Sequence, residues 1–104
     1  MSNRRNYERL LIQKFAILKL ANGETIQGQT RDLGMGGAFI ECAPDIHLEE
    51  GTECTISLVL NDEEERMITE IYGCISHCDN SGGLGCNFLK INATYYQFIG
   101  EASD

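Results

Sequence analysis

Apolar and polar residues alternate along most of this chain with the two-residue period of half-buried β-strands. The clearest case runs from Thr52 to Leu60, where Cys54, Ile56, Leu58 and Leu60 share one face and Glu53, Thr55 and Ser57 the other. Upstream, Leu10 to Leu20 is an apolar, strand-compatible run followed at once by Asn22-Gly23. That dipeptide is a strong hairpin signal, because both residues tolerate positive φ. Glu24 to Arg31 then alternates Ile26, Gly28 and Thr30 with Gln27, Gln29 and Arg31, as the second arm of that hairpin. A glycine-rich loop, Asp32–Gly37, leads into a third strand, Ala38–Cys42.

Residues 43–51 read as a loop, with His47 an exposed side chain in it, and the acidic run Asn61–Glu65 as a solvated connection. A long strand follows from Arg66 to Cys78, with Gly73 marking a bulge or bend. Asp79–Gly83 is a turn, and Leu84, Cys86 and Phe88 alternate in a last strand. Only the tail changes period. Ile91, Tyr95, Phe98 and Ile99 recur at helical spacing, with Asn92 placed to cap the start and Gly100 to end it. Six strands joined by short Gly, Asn and Asp turns predict an all-β domain, a six-stranded antiparallel β-barrel closed by a short C-terminal α-helix. A barrel is favoured over a sandwich because closure removes exposed edges.

The 104 residues suit one domain with one core: an arm over 1–10, a barrel over 11–90 and the helix over 91–100. No apolar run approaches the roughly 20 residues of a membrane helix. The polar N-terminus has no signal-peptide stretch, so the reading is cytoplasmic, with no direct membrane insertion. Five cysteines, without a CxxC pair, point to free thiols rather than a disulfide framework or a zinc ribbon. Cys54 and Cys86 fall on the apolar phase of their strands, and Cys74, His77 and Cys78 fall short of a four-ligand site. No metal or cofactor is expected. No nucleophile–base pair is visible either, which argues against an enzyme.

The net charge of −8 opposes nucleic acid as a partner, but its distribution is uneven. Residues 1–31 carry Arg4, Arg5, Arg9, Lys14, Lys19 and Arg31 against two acids, for a net +4, whereas residues 32–104 carry −12. Arginines gathered at one end of an acidic chain suit a compact anion or a solvated basic arm.

Two short motifs combine these features. Arg5-Asn6-Tyr7-Glu8-Arg9 is Arg-x-x-x-Arg just before the first strand, and Asp32-Leu33-Gly34-Met35-Gly36-Gly37 is Asp-x-Gly-x-x-Gly just after the second. The pairing resembles the PilZ domain family, whose signature is Arg-x-x-x-Arg followed by Asp/Asn-x-Ser-x-x-Gly. Gly51, Gly73 and Gly85-Cys86-Asn87-Phe88 also resemble that family's pattern. The resemblance implies a six-stranded barrel that binds the bacterial second messenger cyclic di-GMP and signals to an effector protein. It assigns Arg5 and Arg9 to guanine and phosphate, Arg4 to an accessory contact and Asp32 to a guanine edge. Gly36 and Gly37 would leave room for the ligand at the backbone. The chemistry agrees: an arginine fork matches guanine O6 and N7, and a carboxylate matches the N1–H and N2–H₂ edge.

Gly34 stands where the family has serine. A neutral hydrogen bond contributes roughly 0.5–1.5 kcal/mol net, so its loss weakens binding by up to about tenfold. Each arginine fork to guanine is worth about 1–3 kcal/mol. With both arginines and the aspartate retained, the expectation is binding that is weakened rather than abolished. The alternative is a degenerate PilZ-like protein-interaction module that has lost the nucleotide.

Overall fold

A computed structural model of the chain describes residues 9–61 and 67–103. Seven strands and one helix follow in order: β1 Arg9–Leu10, β2 Phe15–Leu20, β3 Thr25–Gly34, β4 Gly37–Cys42, β5 Glu53–Asn61, β6 Met67–Cys78, β7 Gly83–Lys90 and α1 Ala93–Ala102. All pairings are antiparallel. Strands β3-β2-β5-β6-β7-β4 lie side by side, and β4 pairs back onto β3, so six strands close the expected barrel. The two-residue β1 adds to the far end of β3, with Arg9 opposite Gly34 and Leu10 opposite Leu33.

The single run expected over Leu10–Leu20 is therefore two strands, and the break has a local cause. Thr30 is buried at the middle of β3. Its hydroxyl accepts from the Lys14 amide at 2.8 Å and donates to the Ile12 carbonyl at 2.7 Å. A side chain thus takes hydrogen bonds that a ladder would otherwise make, and the chain steps sideways between β1 and β2. Arg9 and Leu10, expected within the arm, are consequently strand residues.

The inward phase of the strands forms one core. Ala16 and Leu18 of β2, Ile56 and Leu58 of β5, Leu33 of β3, Ile40 of β4 and Leu84 of β7 are fully buried. Cys54 and Cys86 join them as small apolar side chains. Burial pushes their thiols up, to about 11 for Cys54 and about 12 for Cys86, and the half-buried Cys42 rises to about 11. Turn chemistry follows the residue types. At Asn22-Gly23, the Asn22 side chain accepts from the Glu24 amide at 2.9 Å, and Gly23 takes φ +93. At the β6–β7 turn, Asp79 Oδ1 accepts from the amides of Ser81 and Gly83 at 2.9 and 2.8 Å, which holds its carboxyl below the ordinary value. The register shifts at Tyr72/Gly73 confirm the bulge expected at Gly73.

Helix α1 closes one end of the barrel. Asn92 caps it by accepting from the Tyr95 amide at 2.8 Å, and the same side chain joins Thr69 and the Glu70 carbonyl of β6. Tyr95 and Ile99 face the core, and Tyr95 meets Phe88 edge-on, with centroids 5.5 Å apart. Gly100 does not end the helix as expected; α1 continues to Ala102 and is capped by Ser103. Asn92 and the buried Tyr95–Ile99 face hold the helix to the barrel, and this outweighs one exposed glycine.

Candidate functional site

The segment expected as a loop over Asp32–Gly37 is mostly ladder. Asp32 pairs with Phe39 and Leu33 with Ala38, leaving only Met35-Gly36 as the connection between β3 and β4. None of Gly34, Gly36 and Gly37 has a positive φ, so these glycines are not there for a left-handed turn. Gly37 serves close approach instead. A Cβ there would collide with the Cys86 carbonyl of β7 and lie 3.3 Å from Arg9 Nη2. Gly36 is fixed on the same side, since its carbonyl accepts from the Phe88 amide at 2.9 Å.

This geometry brings Arg9 of one sequence motif to Asp32 of the other. Because β1 pairs with the end of β3, Arg9 lies across the ladder from Gly34 and one diagonal step from Asp32. Its Nη1 donates to Asp32 Oδ1 at 2.6 Å, joining residues 23 positions apart. The arginine side chain is 41% exposed and the aspartate 17%, so the pair sits at the surface with its carboxylate half sheltered. Arg9, Asp32 and Gly37 therefore occupy one patch, with the buried Gly34 opposite Arg9 in the ladder and Gly36 exposed next to Gly37. Arg4 and Arg5 lie outside the described residues. A planar guanidinium beside an acceptor-only carboxylate, over bare backbone, can take acceptors on one edge of a ligand and donors on another.

Gly34 is buried, and its carbonyl has a partner the sequence did not reveal. The Tyr95 hydroxyl of α1 donates to it at 2.7 Å. Helical spacing had marked Tyr95 only as an apolar-face residue, and nothing in that pattern says which carbonyl a phenol will meet. Burial raises the Tyr95 hydroxyl well above its ordinary value of 10.0, so it remains a donor. His47 is exposed, as expected, but its Nδ1 lies 3.9 Å from Cys78 Sγ. Among the described residues, no three His, Cys, Asp or Glu side chains converge as a metal site requires. No described helix is long and apolar enough to cross a membrane.

A six-stranded closed barrel, Arg9 against Asp32 of β3, and a C-terminal helix packed on the core define the class of small antiparallel β-barrel domains. The family model for the PilZ domain matches residues 3–102, and the chain belongs to that family. Among solved structures it is similar to the Bacillus subtilis inhibitor of motility MotI/DgrA, with TM-score 0.75 and 15% identity. That alignment covers 90% of this chain but only 46% of the other. It is also similar to the PilZ domain of CeSA from a cellulose-synthesizing bacterium, with TM-score 0.67, 23% identity and coverage of 91% and 93%. No curated protein matches.

Proposed function

We propose that this domain is a cytoplasmic receptor for cyclic di-GMP that passes the signal to a partner protein. The observation that carries the reading is the 2.6 Å contact between Arg9 and Asp32, which unites the second arginine of one family motif with the acid of the other. In the ligand-free chain these two groups satisfy each other. The dinucleotide offers each a better-matched partner: guanine O6 and N7 or a phosphate for the arginines, and the guanine N1–H and N2–H₂ edge for Asp32. Arg5 supplies the second guanidinium and Arg4 an accessory one, so the N-terminal arm closes on the ligand against Gly36 and Gly37. The rearranged arm is the surface that an effector protein reads. The domain is a binder with no chemical step of its own.

Calorimetric titration of cyclic di-GMP into wild type, Arg5→Ala and Arg9→Ala tests this. Wild type is expected to bind at micromolar concentration or tighter. Each alanine variant loses one guanidinium contact of about 1–3 kcal/mol, or roughly five- to 150-fold in affinity. Absence of heat from the wild type at high ligand concentration would reject the receptor. A second reading, a protein-interaction module without nucleotide, is favoured by one observation: Gly34 presents no side chain at the family's serine position. Binding that appears only in Gly34→Ser would select it.

A further inference from the structure

The ladder between β3 and β4 slips at Arg31. Thr30 pairs with Ile40 and Asp32 with Phe39, so Arg31 is the extra residue of a β-bulge. Thr30 and Leu33 on either side are buried, whereas Arg31 is exposed and Asp32 partly so. The bulge therefore turns two consecutive side chains toward the same outer surface, a device that re-aims residues beside functional sites.

Arg31 is held over an aromatic ring there. Its guanidinium carbon lies 4.2 Å from the centroid of the Phe39 ring, well inside the range of a cation–π contact. The ring rests on bare backbone, since a Cβ on Gly83 would collide with its tip. Gly83 leaves room for the ring tip, and Arg31 lies over the ring. Glu41 approaches one edge of the guanidinium, with Nη1 to Oε2 at 3.5 Å, and the Arg31 side chain remains 57% exposed. An ion pair that long and that exposed does little to occupy the group. What remains open is more than half of the side chain of a planar cation, one residue along the chain from Asp32.

We infer that Arg31 is a further ligand-contact residue of this site, its guanidinium plane receiving a nucleobase of the dinucleotide beside Asp32. The inference rests on the receptor reading above. Two features favour a base over a phosphate. The guanidinium already lies over one ring rather than projecting freely, which suits it to take a second π-system, and the contact with Phe39 restrains it, so less ordering is left for the ligand to bring about. Stacking is indifferent to base identity, so Arg31 adds affinity while Asp32 discriminates guanine.

The test is calorimetric titration of cyclic di-GMP into wild type, Arg31→Lys, Arg31→Gln and Phe39→Leu, each checked for folding by circular dichroism. Lysine keeps the charge and loses the plane, so Arg31→Lys and Arg31→Gln are both expected to bind about tenfold more weakly than wild type. Phe39→Leu, which releases the guanidinium, shifts affinity in the same direction. Wild-type affinity in Arg31→Lys overturns the stacking role, with loss confined to Arg31→Gln meaning that only charge matters. A wild type that binds while all three variants bind equally well overturns this inference alone. A wild type that does not bind overturns the receptor reading and this inference with it.

Discussion

The hydroxyl of Tyr95 donates to the carbonyl oxygen of Gly34 across 2.7 Å, tying the C-terminal helix to the candidate ligand loop over 61 residues of sequence. Both groups are buried, and the contact is made where β1 pairs with the end of β3. Tyr95→Phe keeps the ring and its packing on Phe88 but removes the hydroxyl donor from a buried carbonyl. The expected loss is about 1–3 kcal/mol, or a melting temperature lower by roughly 4–8 °C for each kcal/mol in a chain of this size. Thermal melts measure the loss, and amide exchange should rise at Gly34–Gly37 before it rises in β5. Uniform exchange along the chain would show that the hydroxyl does not specifically hold the loop.

Gly37 separates packing from chemistry. Its Cβ position is filled by the Cys86 carbonyl and flanked by Arg9 Nη2, so Gly37→Ala forces β4 and β7 apart. Overpacking of this kind costs about 1–3 kcal/mol, readable by urea denaturation. Because the same displacement moves Arg9 off Asp32, nucleotide affinity should fall beyond what reduced stability explains. Gly100→Ala is the control. Apart from its chain neighbours and the helix's own backbone, nothing lies within 4 Å of the Cβ position there, and the helix is expected to gain rather than lose stability.

Alkaline pH should destabilise the fold through its thiols. Cys54 and Cys86 titrate in the folded chain at about 11 and about 12, against 9.0 for a free thiol, chiefly because burial disfavours the thiolate. A folded value above the unfolded one means that the stability is fully present below pH 9 and declines as pH rises toward 11–12. Denaturation midpoints measured from pH 7 to 11 should therefore fall, and Cys54→Ala with Cys86→Ala should flatten the fall. At pH 8, iodoacetamide is expected to leave both residues unmodified until the protein unfolds. Rapid native labelling at Cys86 would contradict the burial on which this prediction stands.

Much of this protein is written locally. Alternation in Thr52–Leu60, the Asn22-Gly23 turn, Asp79 in its turn and the Asn92 cap each act within a few residues, so the strand pattern, the barrel and the helix start were legible from sequence. The two motifs were legible as well, since each is contiguous. What sequence could not supply was set by partners far along the chain. Thr30 breaks the Leu10–Leu20 run by binding its backbone, β4 extends the ladder into what reads as a loop, and packing carries α1 past Gly100. The same holds at the site. Arg9 meets Asp32, Tyr95 meets Gly34, and Arg31 lies on Phe39 only because β1, α1 and the bulge in β3 converge on one end of the barrel. Residue types determined the available chemistry; long-range register decided which groups share a surface, because a one-residue shift in a strand reverses the face on which each side chain emerges.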